Sequence, residues 1–317
     1  MKLTFAFCTY NRAARLEKLV TAMRAQECPI PFEILAVNNN SKDNTQTILE
    51  DLATRPGAPM RYVTETQQGI VPARNRAIEE ALRSDILVFI DDDELPQSGL
   101  LNAAYDAIIN EGAQCAGGRV EIDFTQHERP SWLDDEIAGF LGKLDHGATP
   151  LWIQNDSTPI WSGDIAYDMR LFRDDPTLRF DNRYNRKGFA FGGGEDVMMF
   201  RRLLHLGVRL RYRPDMVVMH GVEPWRLHRL YFLRLHHQAG ERKGLYELPE
   251  YPRLWFGVPP FLISQAISLS FNAATMLLFN KPGALRQTMN ATHAFGLIKG
   301  AYRRHQLTHT TKNDNND

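Results

Sequence analysis

Phe89-Ile90-Asp91-Asp92-Asp93-Glu94 ends an apolar run abruptly in four consecutive carboxylates. Charge alone fits two accounts of such a cluster. One is a solvated turn opening the next helix. The other is a site where a divalent cation relieves the repulsion, since Mg²⁺ or Mn²⁺ prefers hard oxygen ligands shared with phosphates. A second constellation is Phe191-Gly192-Gly193-Gly194-Glu195-Asp196. Its glycines let a backbone approach a ligand closely, and its acidic pair opens a helix, where negative charge is favoured. N-terminal capping accounts for one of those carboxylates but not for the glycine run. His220 closes Met216-Val217-Val218-Met219. A lone histidine after a strand is commonly structural; downstream of two acidic clusters it is also a candidate third metal ligand.

These residues need elements to bring them together. Leu3–Cys8, Phe32–Val37, Met60–Thr64 and Ile86–Ile90 are short apolar runs of strand character. Helical patterns at Ala13–Ala25, Asn44–Ala53 and Pro72–Arg83 separate them, which predicts β-α-β units and a mainly parallel sheet flanked by helices. Ligands of such sheets gather at the carboxyl ends of the strands. Those ends carry Thr9-Tyr10-Asn11-Arg12, Asn38-Asn39-Asn40-Ser41 and the acidic cluster, three polar groups facing one cleft. Residues 126–186 look irregular and loop-rich, with Trp132, Trp152 and Trp161 among Pro, Asp and Gly. A helix over Glu195–Leu206 and short strands near Leu210–Tyr212 and Met216–His220 follow.

Several classes are disfavoured. A formal net charge of −1 provides no basic field for a nucleic-acid backbone. Neither a G-x-G-x-x-G fingerprint nor a Walker loop follows the first strand. Cys8, Cys28 and Cys115 suit neither a disulfide framework nor a zinc site, which points to a reducing compartment. Leu3–Cys8 is too short for a signal peptide, so a cytoplasmic catalytic part is expected.

Taken in order, C-T-Y-N-R, N-N-N-S-K-D-N-T, G-I-V-P-A-R-N (Gly69 to Asn75), D-D-D-E, G-G-G-E-D and the final His220 resemble the inverting glycosyltransferase family 2, of GT-A fold. The resemblance runs through residues 3–222. It implies an α/β, nucleotide-diphospho-sugar transferase-like domain using a divalent metal, Mn²⁺ or Mg²⁺. Asp91 and Asp93 resemble the D-x-D pair, with Asp93 on the metal and Asp91 near the ribose or the metal shell. Asp196 resembles the base that takes the acceptor's proton, worth about 10²–10⁴-fold in rate, with Glu195 positioning acceptor or donor sugar or exchanging roles with it. Thr9, Asn11, Arg12 and Arg74, with Asp91 and Asp92, resemble donor-nucleotide contacts. Asn38 and Asn39 stand where the family usually carries a base-reading Asp, which leaves a UDP-sugar favoured by frequency alone. Asp164, in Trp161-Ser162-Gly163-Asp164, replaces a commoner Asn, and Ala77 a commoner Gly; Trp161, Gly163, Asp164, Gly193 and Gly194 are candidates for the sugar subsites. The implied reaction is one in-line displacement from a nucleotide sugar onto a hydroxyl of a glycan or lipid-linked cell-envelope acceptor. Its rivals are a polyprenyl-phosphate sugar transferase, a nucleotidyltransferase and a non-catalytic GT-A-like carbohydrate-binding or scaffold protein.

The expected organisation is a catalytic domain over 1–223, a helical region over 224–305 and a disordered polar tail over 306–317. Leu254 to Asn280 contains no charged residue, and Phe261–Phe279 approaches the roughly 20 residues that span a bilayer. Ser264, Ser268, Asn272 and Thr275 form a polar stripe, suited to a helix held by protein on one side and lipid on the other. Shallow attachment, a true span and a buried soluble helix all remain open. Basic flanks on both sides favour an anionic cytoplasmic leaflet, hence a peripheral or monotopic protein at the inner face of the plasma membrane.

Overall fold

The computed structural model describes residues 1–186 and 193–313, with side chains as far as 308. Two compact units result, one of Met1–Ala190 and Gly194–Val222, the other of Phe191–Gly193 and Glu223–Asp317.

The first unit opens with β1 (Leu3–Thr9), α1 (Ala13–Arg24), β2 (Phe32–Asn38), α2 (Thr45–Thr54), β3 (Met60–Thr64), α3 (Ile70–Glu80) and β4 (Ile86–Ile90). Each lies within three residues of its expected bounds. The reason is burial: β4 is buried at all five positions, and α1 buries Leu16, Leu19, Val20 and Met23 at helical spacing. The unit continues with β5 (Glu94–Pro96), α4 (Leu100–Tyr105, extended by a π turn to Asn110), β6 (Cys115–Asp123), α5 (Asp135–Ala138), β7 (Leu151–Ile153), β8 (Asp164–Asp168), α6 (Arg170–Asp174), α7 (Glu195–His205) and β9 (Leu210–Gly221).

The sheet order is β3-β2-β1-β4-β8-β6-β9-β5, with β7 on β9. β1 to β4 pair in parallel, as do β6 and β9, while β8 enters antiparallel between β4 and β6, so the sheet is mixed with its longest ladders parallel. β8 lies inside the stretch expected to be irregular; an acidic residue at each end of Asp-Ile-Ala-Tyr-Asp hides a fully buried strand. The two short strands expected after α7 are one, β9, whose pairing with β6 shifts register around Gly117 and Arg119. Arg213-Pro214-Asp215 interrupts the apolar pattern there, as expected of a bulge.

The second unit contains α8 (Arg229–Tyr246), α9 (Pro260–Leu278) and α10 (Ala284–Asn313). α8 and α10 cross at reciprocal glycines. A Cβ on Gly240 or Gly244 would meet the carbonyl oxygens of His293 or Leu297, and one on Gly296 or Gly300 those of His237 or Glu241, all within 2.4 Å. The helix backbones therefore touch. Two expectations change. The helix continues over 306–313, where a disordered tail was expected; once nucleated, a helix extends at little cost through polar residues. The polar stripe of α9 does not face protein: Ser264, Ser268 and Asn272 are exposed, and Leu262, Ala266 and Ala273 make the packed face.

Candidate active site

The ends of β1 and β2 are tied to each other. Asn39 N–H donates to the Thr9 carbonyl at 2.9 Å, and Asn11 N–H to Ser41 Oγ at 3.0 Å. Lys42 N–H donates to Asn11 Oδ1 at 2.7 Å and Arg12 N–H to Thr45 Oγ1 at 3.2 Å. Asn11 and Asn40 accept left-handed backbone (φ 52° and 58°), tolerable for asparagine. Asn39 uses its whole hydrogen-bonding capacity internally: its amide donates to Glu65 O and Gln67 O, and its Oδ1 accepts from Gly69 N and Gln68 Nε2. It shapes the turn into α3 and has no group left for a nucleotide, contrary to the expectation for it. Asn38 is buried, with Oδ1 accepting from Ser41 N–H.

That turn is fixed from a second side. Gly69 has φ 136°, and a Cβ there would fall 2.0 Å from Asn185 Oδ1. Asn185 Oδ1 accepts from Val71 N–H and its Nδ2 donates to Gln68 O. Asn75 likewise holds Phe180, donating to its carbonyl at 3.0 Å and accepting from its N–H at 2.8 Å. α3 is thereby aimed with Arg74 inward, 3% exposed at the side chain.

Arg74 joins the two acidic constellations. Its guanidinium donates to Asp196 Oδ1 at 2.6 Å, Asp91 Oδ1 at 2.9 Å and Glu195 Oε1 at 3.2 Å. Asp91 comes from the end of β4, while Glu195 and Asp196 open α7. Gly194 caps that helix with φ 101°, and Gly193 before it has φ 129°, backbone that a glycine adopts without strain. Phe191 and Gly192 of the glycine motif lie outside the described residues. The acidic pair divides: Asp196 is 26% exposed, Glu195 only 4%. Burial pushes Glu195 up to about 7, helped by Asp196 and opposed by Arg74, and its Oε2 is buried with no hydrogen-bond partner.

The remaining carboxylates separate by partner. Asp93 Oδ2 lies 3.5 Å from His220 Nε2 and 3.8 Å from Arg15. The meeting follows from β5, which pairs antiparallel with β9 and sets Glu94 opposite His220. Burial, then Asp93, raises Asp92 to about 7, against Arg12 nearby. Glu94 is buried, accepts from Asp91 N–H at 2.8 Å and is raised by burial and by Asp91. Gly163 stands against it, since a Cβ there would lie 2.6 Å from Glu94 Oε1. Asp164 begins β8, fully buried, with neither oxygen hydrogen-bonded; burial alone holds it protonated well above the usual carboxylate range. Trp161 packs half-buried against the core.

The expected metal set is therefore altered. Asp93 and His220 come together, but Asp91 faces Arg74, and among the described residues no group of three His, Cys, Asp or Glu side chains is gathered to hold an ion. The remaining pair fits one: a carboxylate oxygen and an imidazole nitrogen 3.5 Å apart both reach an ion at bonds of about 2.1 Å. Sequence reasoning missed Arg15 and Asn185, and gave Glu94 no role of its own within the acidic cluster. Arg15 carries a faint signal, one helical turn after Arg12; Asn185 carries none.

Over 116 residues the chain is 32% identical to the glycosyltransferase AglE of Haloferax volcanii, covering 36% of this chain and 38% of that one. It is 26% identical over 139 residues to the GalNAc(5)-diNAcBac-PP-undecaprenol beta-1,3-glucosyltransferase of Campylobacter jejuni, covering 44% and 42%. The matches thus span less than half the length of these relatives. Among solved structures, the mannosyltransferase PcManGT from Pyrobaculum calidifontis, in complex with GDP-Man and Mn²⁺, superposes with a TM-score of 0.62 at 20% identity, over 95% of this chain and 87% of that one. That likeness establishes the GT-A fold. The sequence pattern described as Glycosyl transferase family 2 matches residues 4–176, more than half of the 317, and the chain belongs to that family.

Proposed function

We propose that this chain is an inverting, metal-assisted glycosyltransferase that moves one sugar from a nucleoside-diphosphate sugar to a hydroxyl of a glycan or lipid-linked cell-envelope acceptor. The observation that carries the reading is the convergence on Arg74 of Asp91 from the strand-end cluster with Glu195 and Asp196 from α7. The strand-end side is the donor side, with Thr9, Asn11, Arg12, Asp91 and Asp92 near the nucleotide and Asp93 and His220 on a divalent ion. When bound, that ion offsets the charge gathering on the leaving nucleoside diphosphate.

The α7 side supplies the base. Asp196 takes the role because its carboxylate is reachable, whereas Glu195 is enclosed and acts on its neighbours. A carboxylate in hydrogen-bond reach of the acceptor hydroxyl accepts its proton as oxygen attacks the anomeric carbon. One base with no required protein nucleophile fits a single displacement, in which the anomeric centre inverts. Gly163 and Asp164, beside Glu94, and Trp161 line the sugar side. A UDP-sugar is the favoured donor. The lipid-linked acceptor draws on the undecaprenol-linked substrate in the name of the Campylobacter relative and on a peripheral position at the cytoplasmic membrane face.

The test is nucleotide release from UDP-, GDP- and dTDP-sugars with Mn²⁺ or Mg²⁺, beside Asp93→Ala and Asp196→Asn. Metal-dependent release of one nucleoside diphosphate, lost in both variants, is expected. No release and no binding of any sugar nucleotide, with acceptors supplied, would sink the assignment.

A further inference from the structure

α9 shows three distinct faces. One packs on its own unit, where Leu262 joins Val258, Leu297 and Ala301 in a small core. A second is a stripe of Ile267, Phe271, Ala274 and Leu278, at i, i+4, i+7 and i+11, with Ile267, Phe271 and Leu278 exposed at 66%, 73% and 78%. The third is Ser264, Ser268 and Asn272, exposed and uncharged. Just before the helix, backbone hydrogen bonds in both directions between Trp255 and Val258 close a tight turn. At its tip Phe256, with φ 49°, is 83% exposed, beside Trp255 at 65%. Exposed cations, Arg253 and Lys281, bracket the uncharged stretch.

By length and composition α9 is the one described helix able to cross a membrane, at about 28 Å for 19 residues. Its setting argues against the crossing. The turns of α10 that pack on α9, around Leu297 and Ala301, also carry Lys299 and Arg303, which are half-exposed and pair with Glu241 of α8. Those charges lie level with Leu262, at the start of α9, and with Arg253 before the helix and Lys281 after it both ends are basic, against the one-sided excess of positive charge that orients a span. We infer that α9 instead lies in the plane of an anionic lipid surface, with Ile267, Phe271, Ala274 and Leu278 in the acyl boundary, the Trp255–Phe256 turn inserted beside them, and Ser264, Ser268 and Asn272 toward the headgroups. A helix lying flat keeps both ends at one depth, so Arg253 and Lys281 both meet lipid phosphates of a single leaflet. This deepens the membrane part of the proposed function and is independent of sugar transfer.

The experiment is flotation of the full chain with phosphatidylcholine vesicles, with and without phosphatidylglycerol. Expected are binding to the anionic vesicles, weakening with salt and release by alkaline carbonate. Phe271→Asp should lower binding about tenfold or more, while Ser268→Lys, on the headgroup face, leaves it intact. Nucleotide release by Phe271→Asp should match the parent, which separates failure here from failure of the transferase reading. Carbonate-resistant binding abolished by Ser268→Lys would overturn the proposal in favour of a span. No flotation, with concentration-dependent dimers dissolved by Phe271→Asp, would overturn it in favour of a second copy covering the stripe.

Discussion

Replacing Arg74 by methionine keeps the bulk of the side chain and removes a cation that Asp91, Glu195 and Asp196 share. Three legs are lost, and they are not equal. Asp91 is 40% exposed, so water replaces most of its partner and its leg counts for little. Glu195 already sits near 7, so at neutral pH it escapes much of the loss by holding its proton. Asp196, at 2.6 Å and three-quarters buried, bears most of the cost. Breaking a buried ion pair costs about 3–5 kcal/mol, and these discounts set the expectation at about 3 kcal/mol near pH 7. That is roughly 6–12 °C in the melting of a unit of this size. The sign with pH is distinctive. Arg74 holds Glu195 down, so its removal moves that carboxyl further above its unfolded value. In the parent, the stability that a neutral Glu195 confers is present below about pH 4.5 and lost as pH rises toward 7. In the variant the loss continues beyond 7, at up to about 1.4 kcal/mol per pH unit. Calorimetry, which can separate the transitions of two units, should show a deficit that widens from about pH 6 to pH 8. Arg74→Lys should narrow it. An equal deficit at both pH values would mean a plain packing loss and refute the bridging role.

Asp164→Asn should become increasingly more stable than the parent as pH rises above about 4. The buried Asp164 carboxyl is held protonated, so its contribution is full below the unfolded value and lost on the way up, whereas an amide has nothing to ionise; pH-dependent melting measures it. Gly69→Ala must strain a φ of 136° and displace Asn185, breaking its bonds to Val71 and Gln68; a loss of about 3 kcal/mol in melting, with nucleotide release falling alongside, is expected. Gly296→Leu drives a side chain into the His237 carbonyl and should lower the helical unit's transition while leaving that of the catalytic unit in place.

The parallel half of the fold was legible because each element states itself locally. Ile86–Ile90 is a buried apolar run, and Leu16, Leu19, Val20 and Met23 repeat at helical spacing. β6 and β8 were not, since Gly117-Gly118 interrupts one and Asp164 and Asp168 bound the other; their burial comes from neighbours distant in the chain. Residue type and order exposed the acidic cluster and the Glu195-Asp196 pair. Arg74 was expected as a donor contact by resemblance alone; that it joins the two acidic groups did not show, because this follows from Asn75 and Asn185 turning α3 inward. Asn39 failed for the opposite reason: its type suggests ligand binding, while its geometry spends every donor and acceptor on the chain.

Charge balance connects the site to its proposed chemistry. Asp91, Asp92, Asp93, Glu94, Asp164, Glu195 and Asp196 crowd the strand ends and the start of α7, while Arg74 is already divided among three of them. The protein answers the imbalance by retaining protons: burial and mutual repulsion raise Asp92, Glu94 and Glu195, and burial alone raises Asp164. A nucleoside diphosphate adds negative charge to the same place. Arg12 and Arg15 stand at the edge of the cluster, near Asp92 and Asp93 respectively, and Arg186 acts on Glu195. In the proposed reaction, a cation from solution would offset that charge without adding protons that would neutralise the base. Under that proposal the ion at Asp93 and His220 and the base at α7 are linked, because an ion, unlike added protons, leaves Asp196 ionised to accept the acceptor's proton.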